Sequence, residues 1–136
     1  MYEKDFIIRL IQNFLEAIAR IVNKIEEGNV AESRIEIEKT YELLGESSVF
    51  FREANFGKLL VFLNPKDNIQ LKKFDLLAKL ISIDAKIQSQ KNLKCSMFKK
   101  AQKLWKYYNH HSKEYSFERE QQLLYIKEFI ENNCEN

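Results

Sequence analysis

The sequence is poor in the residues that β-sheets and phosphate-binding loops need. Its 136 residues include three glycines, one proline, one threonine and four valines. Because sheets need turn residues and favour β-branched side chains, this composition predicts an almost entirely helical chain. Gly28, Gly45 and Gly57 stand too far apart to form a P-loop or a dinucleotide-binding turn, since both bring paired glycines against phosphate.

Cysteine and histidine, the usual ligands of zinc, are also scarce, with two of each. The spacing of Cys95, Cys134, His110 and His111 matches no zinc finger or zinc ribbon. Adjacent histidines on a helix point about 100° apart, which makes a shared metal ion difficult. We therefore expect no metal and no organic cofactor. Two cysteines do not make a disulfide framework, so we expect both to be reduced thiols.

No targeting or membrane segment is predicted. The first residues carry acidic side chains where a secretory signal needs positive charge. The apolar stretch from Phe6 to Ile25 is interrupted every few positions by charged or amide side chains, which is incompatible with a membrane span. These features predict a cytoplasmic protein with no membrane partner.

Apolar residues recur at helical spacing along the whole chain. They predict main helices over residues 3–27, 30–44, 69–89, 93–112 and 117–132, with two short helices within 46–63. Because the breaks between long helices are short, neighbouring helices should form antiparallel hairpins. We expect one all-α domain over residues 1–136, either a tetratricopeptide-like superhelix or a compact bundle of about five main helices plus a short helical segment.

The first helix has a wide apolar face. Leu10 and Ala17 extend it on one side, and Leu15 and Val22 extend it on the other. One antiparallel neighbour covers only part of that width, so either the apolar segment 49–63 or a second copy of the chain should cover the rest. Two-fold dimers are the commonest soluble oligomers, and this face therefore predicts a homodimer.

The break at Gly28-Asn29 resembles the inner turn of a tetratricopeptide repeat. In that turn a large residue follows Gly-Asn, and small residues are spaced for close packing of the two helices. The corresponding positions here are Val30, Ser33, Ile37 and Thr40. Ser116 and Phe117 resemble the start of a second such turn. The resemblance implies stacked helical hairpins, which present an extended surface to other proteins.

The first third of the chain resembles more closely an uncharacterised bacterial family of small tetratricopeptide-like, all-helical proteins. The motifs that carry this resemblance are Asp5-Phe6-Ile7-Ile8-Arg9-Leu10-Ile11, Glu27-Gly28-Asn29 and Leu43-Leu44-Gly45. That family has no established activity. The resemblance therefore implies a fold and a bacterial origin, and it transfers no site residue.

A basic stripe is the most distinctive feature of the fourth main helix. No acidic residue occurs between Asp84 and Glu114, although eight lysines do. The stripe residues recur on one side of the helix, opposite an apolar side that contains Trp105 and Tyr108. They are Lys99, Lys103, Lys106, His110 and Lys113. The stripe is either a solvated helix face or a surface that binds a partner.

Two further residues near this stripe are candidates for a role. Tyr107 lies one position away from the apolar side, which makes it the best aromatic candidate for a partner-binding surface. His110 and Glu114 are four residues apart, a spacing that predicts an ion pair on a helix surface.

Two functions are consistent with these patterns. The first is a cytoplasmic protein-interaction or scaffold module that binds an unidentified protein partner. The alternative is a nucleic-acid-binding module that uses the lysine-rich helix around residues 94–113. We identify no catalytic residue, because nothing in the sequence pairs an acid or base with a cleft and a third group.

Overall fold

The computed structural model describes residues 2–135, and its helices begin and end close to the predicted breaks. Seven α-helices and no β-strand make up this stretch. They are α1 (Tyr2–Glu26), α2 (Val30–Glu42), α3 (Ser48–Glu53), α4 (Phe56–Leu63), α5 (Asn68–Lys86), α6 (Lys91–His111) and α7 (Phe117–Asn133). None of these helices combines the length and the apolar character that a membrane crossing requires. The all-α expectation is confirmed.

Local capping contacts fix where the helices begin. The Asn29 side chain accepts a hydrogen bond from the backbone N–H of Glu32 at 3.3 Å, which caps α2. Gly28 precedes it with φ +81°, a conformation that glycine adopts at little cost. The Asp67 side chain accepts from the backbone N–H of Gln70 at 2.8 Å and caps α5 in the same way. Side-chain caps of this kind typically stabilise a helix by about 1 kcal/mol.

Helix α5 is the centre of the fold. It packs against α1, α2, α4 and α6, and its most extensive contact is with α6. Helix α6 also contacts α7, and α1 contacts α2. The α6 side chains that the apolar pattern places inward are all buried. They are Met97, Phe98, Ala101, Leu104, Trp105 and Tyr108.

The cover of α1 differs from the expectation. Helix α5, rather than the 49–63 segment, packs on α1 beside α2, while α3 packs on α2 and α4 packs on α5 and α6. The buried face of α1 is also narrower than predicted, because Leu15 keeps 40% of its surface exposed and Val22 is only half-buried. A helix that packs against two neighbouring helices buries one stripe of its surface. Residues at the margins of that stripe, such as Leu15 and Val22, stay in contact with solvent.

The expectation of reduced thiols is wrong. Cys95 on α6 and Cys134, directly after α7, form a disulfide with their Cα atoms 5.8 Å apart. The pairing depends on the packing of α7 along α6, which brings together two residues that are 39 positions apart in sequence. Because disulfides are rare in the cytosol, this bond removes one of the grounds for the cytoplasmic prediction.

Asp84, buried near the end of α5, holds three other side chains. Its carboxylate accepts hydrogen bonds from the Tyr41 hydroxyl at 2.7 Å, the Arg52 Nε at 2.9 Å and the Gln88 amide at 2.8 Å. Burial disfavours the charged form of Arg52, but the hydrogen bonds to Asp84 and the negative charges of Asp84 and Glu38 together outweigh this effect and raise its pKa. The carboxylate thereby joins α2, α3 and α5 in one polar cluster.

Asp75, buried in the first half of α5, forms a second cluster. It accepts a hydrogen bond from the Trp105 indole N–H at 2.8 Å and pairs with the Lys72 ammonium at 2.9 Å. The buried Arg119 of α7 lies 3.8 Å from the same carboxylate and donates to the backbone carbonyl of Glu114 at 2.7 Å. This cluster connects α5 to α6 and α7.

Candidate functional site: a basic groove along α6

A groove of about 650 Å³ lies between the start of α4, the first half of α6 and the segment that follows α7. Four ammonium groups and one carboxylate border it, together with three amide side chains. The lysines are Lys91, Lys99, Lys100 and Lys103, the carboxylate is Glu135, and the amides are Asn55, Asn92 and Asn133. The groove therefore carries an excess of positive charge, which suits an anionic ligand.

Two of these lysines are free to bind a ligand. Lys91 and Lys103 are exposed, and neither has a hydrogen-bond or ion-pair partner within residues 2–135. Lys99 donates a hydrogen bond to the backbone carbonyl of Glu135 at 3.1 Å, so its charge remains unneutralised. The absence of acidic residues from this part of the sequence explains why the lysines face the groove without partners.

Lys100 has a structural position at the wall of the groove. It is buried, and its ammonium donates to the backbone carbonyls of Phe51 at 2.9 Å and Arg52 at 2.6 Å. These carbonyls belong to the last turn of α3, and carbonyls in the last turn of a helix have no hydrogen-bond partner within that helix. Burial lowers the pKa of Lys100 to about 8. The side chain thus anchors α3 to α6 beside the groove.

The disulfide borders the same groove. Cys95 and Cys134 both line it, next to Lys99 and Asn133. Because the bond ties the segment after α7 to α6, it holds one wall of the groove in place.

The structure separates the residues of the predicted basic stripe. Lys99 and Lys103 line the groove, whereas Lys106 is exposed outside it. The ring of His110 contacts the ring of His111, with centroids 4.9 Å apart. Lys113 lies beyond the end of α6, in a separate depression that Ile8 also lines. The stripe residues therefore do not share one concave surface, and their part in partner binding stays a prediction.

Tyr107 is not the free surface aromatic that its position suggests. Its ring is half-buried and stacks on Phe74, with centroids 4.6 Å apart, and on His111, with centroids 4.0 Å apart. The ring is therefore stacked on two others within the chain, and the assignment of Tyr107 to a partner-binding surface stays a prediction.

The predicted pair between His110 and Glu114 is also wrong. Helix α6 ends at His111, so the regular four-residue spacing does not extend to Glu114. The Glu114 carboxylate instead pairs with Lys72 at 2.9 Å and with Arg119 at 3.5 Å. The hydrogen bond from Lys72 lowers the pKa of Glu114.

The groove contains residues that the stripe did not predict. Lys91, Lys100 and Asn133 belong to it, although none of them lies on the stripe. The run of lysines without acids already indicated a positive region, but only the folded chain shows which lysines share one concave surface. Across residues 2–135, no three His, Cys, Asp or Glu side chains converge as metal ligands would. The chemistry that the groove offers is the binding of anionic groups.

Comparison of the chain with protein-family models, with curated proteins and with solved structures gave no match.

Proposed function

We propose that this chain is a protein-interaction module whose basic groove binds an acidic segment of a partner polypeptide. The observation that carries the proposal is the set of unneutralised ammonium groups of Lys91, Lys99 and Lys103 along one concave surface. Complementary charge across an interface steers the partner towards the site and selects against partners of the wrong charge.

The dimensions and the amide side chains of the groove suit an extended peptide. Lys91 and Lys103 are twelve residues apart on α6, which corresponds to about 18 Å along the helix axis. An extended segment of about five residues spans that distance. Asn55, Asn92 and Asn133 border the groove, and an amide side chain both donates and accepts hydrogen bonds, as a peptide backbone requires.

The charge distribution favours an acidic peptide over nucleic acid. The net charge of the chain is only +2, and its isoelectric point is near 8.4. Domains that bind nucleic acid through phosphate contacts are usually more basic, with isoelectric points above about 9. A duplex would also need the whole stripe from Lys99 to Lys113, whereas the groove contains only its first part.

Fluorescence anisotropy with a labelled hexaglutamate peptide tests the proposal. Lys103→Glu removes a free cation from the groove and should weaken binding by at least about tenfold, because a close charge pair is both lost and replaced by repulsion. Lys113→Glu is the matched control, since it makes the same charge change on the stripe outside the groove. We expect its affinity to stay within about twofold of the unmodified chain, apart from general screening effects. Equal losses in both variants would contradict a site in the groove.

A second titration with labelled duplex DNA separates the two functions. About five phosphate contacts along the stripe would give a slope near −4.5 in a plot of log affinity against log salt concentration. A short acidic peptide should give a shallower slope, because it carries no comparable layer of condensed counterions. Tighter binding of the duplex than of the peptide, with that steep slope, would replace the proposal with the nucleic-acid function.

A further inference from the structure

A second cavity, distinct from the basic groove, lies between α1, α5 and α7 and has a volume of about 250 Å³. One face of α5 forms its floor with Asp75, Lys79, Ser82, Ile83 and Lys86. Ile18 and Val22 of α1 line one wall, and the first turns of α7 line the other. Trp105 also borders the cavity, from α6.

Ser82 is the first sign that the cavity has an occupant. It is 2% exposed, and its hydroxyl oxygen has no hydrogen-bond partner within the part of the chain that the structure describes. Buried polar atoms in proteins are almost always paired, because an unpaired one retains the full cost of leaving water. Ser82 lines the cavity, so a group bound there can supply the missing partner.

Most of the charged groups around the cavity are already engaged by other side chains or by the backbone. Both oxygens of Asp75 are engaged, one by Trp105 and the other by Lys72. Lys86 donates to Gln122 at 2.8 Å, and Arg119 is held mainly by Asn109 and the Glu114 carbonyl.

Lys79, by contrast, has no hydrogen-bond or ion-pair partner among residues 2–135. Glu118, which is exposed, is the one carboxylate of the lining that is not paired in this way. The Lys79 ammonium and the Ser82 hydroxyl are therefore the groups of the α5 floor that remain available to form hydrogen bonds with a ligand.

The remaining surface of the cavity is apolar. Ile18 is buried, while Val22 and Ile83 are half-buried, and all three present hydrocarbon to the space. Small-molecule sites typically combine such apolar walls with a few polar groups that fix the orientation of the ligand. At about 30 Å³ for each water-sized group, the cavity holds roughly eight such groups.

We infer that this cavity binds a small amphipathic carboxylate. The carboxylate group accepts hydrogen bonds from the Ser82 hydroxyl and the Lys79 ammonium, which lie one helical turn apart on α5. The hydrocarbon body lies against Ile18, Val22 and Ile83. Neutral analogues of the same shape lose the interaction with the ammonium, so the site discriminates by charge.

Trp105 provides a direct assay because it is the only tryptophan of the chain and borders the cavity. Its fluorescence should change saturably on titration with benzoate or with octanoate. The matched amides, benzamide and octanamide, should bind at least about tenfold more weakly, since a hydrogen bond to a charged group is stronger than one between neutral groups. No saturable change with any probe at millimolar concentration, or equal affinity for acids and amides, would overturn the inference.

Two substitutions test the assigned donors. Lys79→Gln should weaken benzoate binding by at least about tenfold, whereas Lys73→Gln, on α5 outside the cavity, should leave it unchanged. Ser82→Ala should weaken benzoate binding and at the same time raise the melting temperature of the free protein, because it removes an unpaired buried hydroxyl. These opposite effects distinguish a ligand-binding hydroxyl from a structural one. Benzoate affinity that is unaffected by both substitutions would refute the assigned site.

Discussion

Removal of the buried Asp84 carboxylate should destabilise the fold strongly. In the Asp84→Ala variant the Tyr41 hydroxyl, which is fully buried, loses its hydrogen-bond acceptor. The Arg52 guanidinium loses two hydrogen bonds, at 2.9 and 3.3 Å, and keeps its ion pair with Glu38 at 3.1 Å and its position over the Tyr41 ring. Gln88 also loses its contact with the carboxylate.

The loss of stability depends on the groups that remain buried once the carboxylate is removed. Breaking a buried ion pair by removing one partner typically costs about 3–5 kcal/mol when the other partner stays buried without compensation. Arg52 is partly exposed and keeps its ion pair with Glu38, so we expect a loss near the lower end, about 3 kcal/mol. A domain of this length has an unfolding entropy of about 0.29 kcal/mol/K, from about 2.1 cal/mol/K for each residue. The expected loss therefore lowers the melting temperature by about 10 °C.

The neighbouring pair supplies a matched control. Glu38 contacts the same guanidinium, but its side chain is 47% exposed, whereas that of Asp84 is 1% exposed. Exposed ion pairs contribute about 0–1 kcal/mol, so Glu38→Ala should change stability little. Urea denaturation followed by far-ultraviolet circular dichroism measures both variants. A loss below about 1 kcal/mol for Asp84→Ala would refute the assigned role of the buried carboxylate.

Four further outcomes are expected. Reduction of the Cys95–Cys134 disulfide should lower the free energy of unfolding by about 4 kcal/mol, on the chain-entropy relation for a loop of 39 residues; an unchanged urea midpoint would contradict the bond. Burial, aided by the adjacent Asp84 carboxylate, raises the pKa of Tyr41 in the folded chain. The neutral phenol therefore contributes its full stability below about pH 10, the pKa of an unfolded tyrosine, and this contribution is lost as the pH rises above that pKa. Tyr41→Phe should therefore show a flatter alkaline stability profile, and an equal slope would exclude Tyr41 as its cause. Ser33→Trp should cost at least about 1–3 kcal/mol, because Ser33 is fully buried in the α2 contact region, and an unchanged melting temperature would contradict close packing there. Ile8 and Leu15 of α1 stay 40% exposed beside α2 and α5, and a second copy of the chain would cover such apolar surface. Sedimentation equilibrium should therefore detect a homodimer that Leu15→Glu shifts towards monomer with helicity retained, whereas a single species of 16.3 kDa at all concentrations would exclude the dimer.

Features that depend on neighbouring residues along the chain were predictable from the sequence. The break at Gly28 and Asn29 needs only a residue that tolerates positive φ and a side chain that caps the next helix. Asp67 caps α5 by accepting a hydrogen bond from the backbone N–H of Gln70, only three residues further along the chain. The buried side of α6 follows from helical periodicity, because a long amphipathic helix has one apolar face to bury.

Features that depend on which helices meet were not predictable in the same way. The disulfide requires the packing of α7 along α6, and the partners of Glu114 come from α5 and α7. On α7 itself the apolar pattern misleads, since Phe117 is 68% exposed while Arg119 is buried. The reason is that α7 packs over the polar cluster around Asp75. There the positive guanidinium of Arg119 compensates the buried negative charge of the carboxylate, which an apolar side chain cannot do.

The two buried aspartates explain how α5 organises the other helices. Asp75 and Asp84 are nine residues apart, which is two and a half helical turns, so they emerge on opposite sides of α5. Asp75 accepts a hydrogen bond from Trp105 of α6 and lies 3.8 Å from the Arg119 guanidinium of α7, whereas Asp84 accepts hydrogen bonds from α2 and α3. Apolar contacts tolerate small shifts of one helix along another, whereas a hydrogen bond of about 2.8 Å does not. We therefore expect Asp84 to limit the sliding of α2 and α3 along α5, and Asp75 to limit the sliding of α6, because each hydrogen bond tolerates only small axial shifts.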